Sequence, residues 1–380
     1  MKSIYFDNAA TTAIREEVVD VVTDVMKNNF GNASSSHSFG RSSKSLIEQS
    51  RKTIASFLNV SASEIFFTSG GTEADNLILK SAVKNLGVTR IITSKIEHHA
   101  VLHTIKQLEI EASVSVDYVT LNANGFVNLS HLETLLQSNE HTLVSLMHIN
   151  NEIGNILDLK TVATLCKENN ALFHTDAVQG IGHYEVDLKE ISIDFLAASA
   201  HKFHGPKGVG FAFVRKNIGL KPILVGGEQE RGLRAGTESV HNIAGLEKAI
   251  KIAYNNLDEE RIYIESLKQY FIDEISANIP NVTFNGGCMD FNKSTYTLVN
   301  VCLPVLPEKT AMILFQLDLK GIACSKGSAC QSGSDKKSHV LAELLNEDEL
   351  QKPSLRFSFS IYNTTLEIDY VINVLKTFVE

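Results

Sequence analysis

Tryptophan is absent from this sequence, proline occurs six times, and the five cysteines (Cys166, Cys288, Cys302, Cys324 and Cys330) include no Cys-x-x-Cys pair. So few thiols in a chain of 380 residues exclude a disulfide scaffold. Their odd number leaves at least one without an intramolecular partner. No apolar run reaches the roughly 18 residues that a membrane-spanning helix needs. Residues 1–7 lack the apolar core of a secretory signal, so a cytoplasmic protein with no membrane partner is expected. Positive charge is scarce too: 35 Lys and Arg stand against 44 Asp and Glu, a net charge of −9. With no basic stripe interleaved with aromatics, no nucleic-acid partner is expected. The histidines and cysteines show no paired ligand spacing, so no metal site is expected either.

What remains is an ordinary globular composition, 43% hydrophobic and 21% charged, sufficient to bury a large core. The recurring unit is a short apolar run, a small or polar turn and an amphipathic stretch. Residues 64–68 run into Ser69-Gly70-Gly71-Thr72, and residues 90–93 into Ile96-Glu97-His98. Residues 142–147 lead to Asn150-Asn151-Glu152, 171–175 to Asp176, and 193–197 to His201-Lys202. Near-continuous apolar strands alternating with helices predict an α/β fold, with a mostly parallel central sheet covered on both faces. We expect a large domain over residues 15–258. From Gly245 to Ala277 a charge-laced pattern predicts either one long helix or two meeting near Asn255-Asn256. Beyond it, strands at 297–301 and 355–359 and helices at 308–319 and 366–378 predict a smaller α+β domain. That domain would comprise residues 1–14 and 259–380 and carry a loop at about 324–336.

Ligands of open parallel sheets bind beyond the carboxyl ends of the strands, where several chemically able residues fall. Ser69-Gly70-Gly71-Thr72 suits an anion, because glycines let a phosphate approach helix N-terminal N–H groups. Alternatively, Thr72 and Asp75 form a capping box. Asp176 ends an apolar strand and needs a cationic partner, either a protein side chain or a protonated ligand nitrogen. Lys202 is either a Schiff-base amine or a solvated surface charge. His98 either stacks on a planar ligand and shuttles a proton or is a structural histidine. Arg356, within a predicted strand, holds a carboxylate or makes an inter-element salt bridge. Cys330 lies in Ser325-Lys326-Gly327-Ser328-Ala329-Cys330-Gln331-Ser332-Gly333-Ser334, a composition typical of a loop rather than a core. Lys326, Lys336 and Lys337 nearby favour a thiolate, with Cys324 as the local competitor.

Taken together, these motifs resemble the cysteine desulfurases, pyridoxal-phosphate (PLP) enzymes of the class-V aminotransferase family and fold type I. The resemblance runs nearly end to end. It rests on Tyr5-Phe6-Asp7-Asn8-Ala9-Ala10-Thr11-Thr12, Phe67-Thr68-Ser69-Gly70-Gly71-Thr72-Glu73-Ala74-Asp75-Asn76, Asn150-Asn151-Glu152-Ile153-Gly154 and His174-Thr175-Asp176. It continues through Gly205-Pro206-Lys207-Gly208, Gln229-Glu230-Arg231-Gly232-Leu233-Arg234-Ala235-Gly236-Thr237 and Gly327-Ser328-Ala329-Cys330. The last two stretches favour the nitrogenase and iron–sulfur-assembly branch.

The resemblance implies a large PLP-binding domain and a small domain with a mobile catalytic-cysteine loop. It implies a Schiff base between PLP and Lys202, which would then move the α-proton. Asp176 would keep the pyridine nitrogen protonated, His98 would stack on the ring, and Gln179 would bond its phenolic oxygen. Gly71, Thr72, Ser199 and His201 would bind the phosphate, with Thr237 supplied by the partner of a homodimer. Asn151 and Arg356 would hold L-cysteine, Arg356 by its α-carboxylate. Cys330 would take the sulfur as a persulfide for a sulfur-acceptor protein, and L-alanine would leave. The sequence departs from the family's pattern at Ala33, His204 and Ile361, where proline, tyrosine and arginine are usual. It also ends at Glu380, short of the tail with which iron–sulfur-assembly members contact a scaffold. Two other readings stay open: a different fold-type-I enzyme, such as a selenocysteine lyase or aminotransferase-like relative, and a non-catalytic platform for a sulfur acceptor.

Overall fold

The structure, a computed structural model, describes residues 3–305, 312–327 and 338–379; Cys330, Lys336 and Lys337 lie outside the described residues. Its largest sheet has seven strands: β2 (Ile65–Thr68), β3 (Arg90–Thr93), β4 (Ser115–Tyr118), β5 (Thr142–Ser145), β6 (Leu172–Asp176), β7 (Phe195–Ser199) and β8 (Gly210–Val214). Their spatial order is β2-β8-β7-β6-β5-β3-β4, and all neighbours pair in parallel except at β8, which runs antiparallel to both β7 and β2.

The apolar runs are continuous because successive side chains enter two different cores. Leu196 and Ala198 of β7 pack with α1 (Glu16–Asn28), α2 (Ser38–Phe57) and helix Val240–Asn255. Phe195 and Ala197 point the other way, into the cluster of α3 (Gly71–Leu86) and α4 (His99–Ala112). A strand buried on both faces has no polar side to alternate with.

The helical stretch past residue 240 is two helices. Val240–Asn255 and Leu257–Asn278 meet at Asn256, whose backbone leaves helical geometry at φ −110° and ψ 13°. A separate hydrophobic cluster surrounds the antiparallel sheet β12-β10-β9, made of β9 (Thr283–Phe284), β10 (Leu298–Cys302) and β12 (Ser354–Ser358). The N-terminal strand β1 (Ile4–Tyr5) joins this cluster by pairing in parallel with β11 (Ile322–Ala323). Phe6 follows it in and packs its ring 5.4 Å from that of Phe359. Helices Ile313–Leu319 and Thr365–Val379 complete this part; residues 308–311 of the expected helix at 308–319 lie outside the described residues. Among the described residues no helix is long and apolar enough to cross a membrane.

Candidate active site

Five strand ends open on one cavity of about 200 Å³. The end of β2 delivers Gly71 and Thr72, that of β3 delivers His98, and that of β5 delivers Met147 and Asn151. The ends of β6 and β7 contribute Asp176 with Gln179, and Ser199 with His201 and Lys202. Arg356 enters from β12 and Ala9 and Ala10 from the N-terminal segment. The β2 end starts α3, whose first-turn N–H groups have no partner within the helix. Gly71 must be glycine: a Cβ there would sit 2.5 Å from Val178 Cγ2.

Burial sorts the titratable groups. Asp176 is 5% exposed, and burial pushes its carboxyl up to about 6, against the pull of the Val178 N–H and the Lys202 charge. Two more carboxyls share this interior. Burial first, and the charge of Asp176 with it, holds Asp75 well above the usual carboxylate range and pushes Glu97 up to about 8. Three like charges cannot coexist there, so at neutral pH Asp176 is the one that ionises. His98 and His201 are both held down to about 4, by burial first and by the Lys202 charge second. Both rings are therefore neutral, and His98 Nδ1 accepts a hydrogen bond from Ala100 N at 3.1 Å as the cap of α4.

Lys202 donates to the carbonyls of Ala9 at 2.6 Å and Ala10 at 2.9 Å, and Gln179 Nε2 donates to the same Ala9 oxygen at 2.9 Å. The N-terminal strap is thus fastened to the sheet at the bottom of the site. Arg356 is 1% exposed; its Nη2 donates to Asp7 Oδ1 at 2.7 Å and its Nη1 to the Asn151 carbonyl at 2.7 Å. The salt bridge exists, yet Nε is buried with no hydrogen-bond partner. Arg356 nonetheless lines the cavity.

The structure corrects one reading. Thr72 and Asp75 form no capping box: the cap position is Gly70, and Ser69 N donates instead to Glu73 Oε2 at 2.8 Å. Asp75 turns inward, its Oδ1 lying 3.3 Å from His174 Nε2, while His174 Nδ1 pairs with Ser145 Oγ at 2.9 Å. Thr237 is not at this cavity but lines a second cleft with Glu230 and Arg234. Sequence reasoning missed Asp7 as the partner of Arg356, and the Ala9 and Ala10 carbonyls. Backbone acceptors carry no side-chain signature, so only the small residues of the Asn8–Thr12 stretch hinted at a close approach. Among the other thiols, burial raises Cys166, Cys288, Cys302 and Cys324 above the ordinary cysteine range, which disfavours their thiolates. The described residues contain no cluster of His, Cys, Asp and Glu that could hold a metal ion.

The class-V aminotransferase family profile matches residues 4–371. A cysteine desulfurase IscS of Clostridium botulinum (strain Kyoto / Type A2) is 42% identical over 382 residues, covering 100% of this chain and 95% of that protein. The solved structure of a NifS-like protein superposes with a TM-score of 0.90 at 34% identity, covering 99% of this chain and 98% of the other. A structure of SspA in complex with cysteine gives 0.81 at 31% identity, with 95% and 99% covered.

Proposed function

From the premise that this chain belongs to the class-V aminotransferase family, we propose that its cavity carries out PLP-dependent cysteine desulfuration. L-cysteine and the Cys330 thiol become L-alanine and a Cys330 persulfide. The carbon–sulfur bond of the substrate breaks, a sulfur–sulfur bond forms, and the two thiol hydrogens end on the alanine methyl group and the persulfide. Both sulfurs rise from the thiol to the disulfide level, and the two electrons they give up reduce the substrate's β-carbon, so no outside oxidant is needed.

The observation that carries this reading is the convergence of Gly71, Thr72, Asp176, Lys202 and Arg356 on one cavity. The residues present fit the cofactor. The N-terminus of α3, Ser199 and His201 suit its phosphate, neutral His98 suits a ring face, and ionised Asp176 suits a protonated pyridine nitrogen. When bound, PLP supplies an aldehyde carbon that accepts amines and a protonated ring that withdraws electrons. Lys202 Nζ would be the amine that holds that aldehyde, and it would move the α-proton of L-cysteine. Gln179 holds the phenolic oxygen and Asn151 the substrate. Arg356, whose guanidinium lines the cavity, binds the α-carboxylate. Cys330, on the segment that follows Gly327, takes the sulfur and passes it to an acceptor such as iron–sulfur cluster assembly.

The cluster around the three-stranded sheet, separate from the two that flank the seven-stranded one, supports reading residues 15–258 as the cofactor-holding domain and residues 1–14 with 259–380 as the part that presents Cys330. A homodimer is part of the proposal, with the partner subunit's Thr237 completing the phosphate site. The exposed apolar run Ile223, Leu224 and Val225, which a second copy would cover, supports it: Leu224 pairs with Ala235, two residues from Thr237. The test is to incubate PLP-loaded protein with L-cysteine and a thiol reductant, quantify alanine and sulfide, and locate the added sulfur by mass spectrometry. One alanine per sulfur, with the extra 32 Da mass (about one sulfur atom) on Cys330 before reductant is added, is the expected result. Alanine formed at full rate by Cys330→Ala would favour a lyase instead.

A further inference from the structure

The two described stems of the Cys330 segment meet at one buried carboxylate. Ser325 pairs with Arg356 through both backbone hydrogen bonds, at 3.2 and 2.7 Å. Its hydroxyl donates at 2.8 Å to Asp7 Oδ1, the oxygen that also accepts from Arg356 Nη2. Two residues on, Gly327 has φ +148°, and a Cβ placed there would lie 2.9 Å from Glu152 Oε2 and 3.4 Å from the Ser338 Cβ. From the other side, the Ser338 hydroxyl donates to the same Glu152 Oε2 while accepting from Leu341 N at 3.1 Å. Because that hydroxyl already accepts from the helix, its own proton is the one offered to Glu152.

Glu152 is itself rigidly placed. It is 1% exposed, its N–H donates to Asn150 Oδ1 at 2.9 Å, and its carbonyl accepts from Asn300 Nδ2 at 2.9 Å. The neighbouring Asn151 carbonyl holds Arg356 Nη1 at 2.7 Å. One polar network therefore runs from the substrate-carboxylate donor, through Asn151 and Glu152, to both ends of the segment that bears Cys330.

We propose that Glu152 is a positioning residue whose carboxylate clasps the Gly327 and Ser338 stems together, so that sulfur capture by Cys330 depends on it while the Lys202 proton transfer does not. This rests on the reading of Cys330 as the sulfur acceptor. The clasp works through a buried oxygen that packs against one stem and takes a hydroxyl hydrogen from the other. Gly327 is required because any side chain there would displace that oxygen.

The experiment compares two readouts on PLP-loaded protein. One is exchange of the α-hydrogen of L-alanine with solvent deuterium, which needs Lys202 and the cofactor but no thiol. The other is the rate at which L-cysteine produces a persulfide on Cys330, followed by mass. Glu152→Ala is expected to slow persulfide formation at least about tenfold while exchange stays within about twofold, and Glu152→Gln, which keeps an acceptor, to fall in between. Gly327→Ala and Ser338→Ala approach the same contact from its other sides and carry the test if Glu152→Ala does not fold. They should reproduce the split. Persulfide formation at the normal rate in these variants, or exchange and persulfide formation falling together, would overturn the proposal. A persulfide that still forms elsewhere in Cys330→Ala would instead overturn the underlying reading.

Discussion

The rim of the seven-stranded sheet and the stem of the Cys330 segment face the same chemistry, but they are held by different forces. Lys202 and Asp176 follow β7 and β6, strands whose side chains enter packed cores on both faces. Moving either residue would mean pulling phenylalanines and leucines out of close packing, at several kcal/mol each by typical core substitutions (about 2–5). Ser325, Gly327 and Ser338 are instead placed by hydrogen bonds and contacts to Asp7, Arg356 and Glu152. Such contacts contribute about 0.5–3 kcal/mol apiece. Groups on the sheet rim are set by packing, whereas the described stems on either side of Cys330 are set by a few polar contacts.

Replacing the amine of the rim tests that contrast most severely. Lys202→Ala should lower alanine production by more than about a thousandfold and abolish the visible absorption of lysine-bound cofactor. Retained absorption would place the cofactor elsewhere. Removing the thiol should separate the two regions: Cys330→Ala keeps the cofactor spectrum and loses persulfide and sulfide release to background. At the junction, Arg356→Lys keeps the charge but not the fork. It should raise KM for L-cysteine by about tenfold or more with a smaller change in kcat, read from initial rates.

Asp176 adds a test in the opposite direction. Its carboxyl has an ordinary value of 3.8 and rises to about 6 in the folded chain through burial. The folded protein therefore holds that proton more tightly than the unfolded one. This favours folding below about pH 4, and the advantage is lost as pH rises to about 6. In cofactor-free protein Asp176→Asn should raise stability at pH 7 by up to about 3 kcal/mol while lowering turnover. Thermal unfolding at pH 5 and pH 7 reads it, and a lower Tm than wild type at pH 7 would refute the burial argument. The smallest effect belongs to the exposed pair Lys95–Glu343, 3.3 Å apart, which joins the β3 end to the stretch after Ser338. Lys95→Ala should change stability by less than about 1 kcal/mol, vanishing in high salt, with activity unchanged.

Lys202, Asp176 and His98 were legible because Asp176 closes a buried apolar strand and Lys202 and His98 stand in the turns that follow two others. Asp75 was not. Its spacing from Thr72 suits a cap, but the interior it faces is formed by His174 and Ser145 from other strands. Arg356 was legible as a carboxylate binder or as a salt bridge, and only the folded chain shows one side chain that pairs with Asp7 and still lines the cavity. Glu152 stood in a quoted motif without a task, because its partners are about 175–186 residues away along the chain and their meeting depends on how β10 and β12 pack against the sheet.

By itself, the order of residues indicated the α/β alternation, five of the seven central strands and the carboxyl-end positions of the reactive groups, since hydrophobic periodicity and turn chemistry act over a few neighbours. Only the tertiary structure decided which carboxyl stays charged, what Arg356 pairs with and which oxygen joins the two stems. Those outcomes depend on burial and on distances of a few ångströms between segments far apart in the chain.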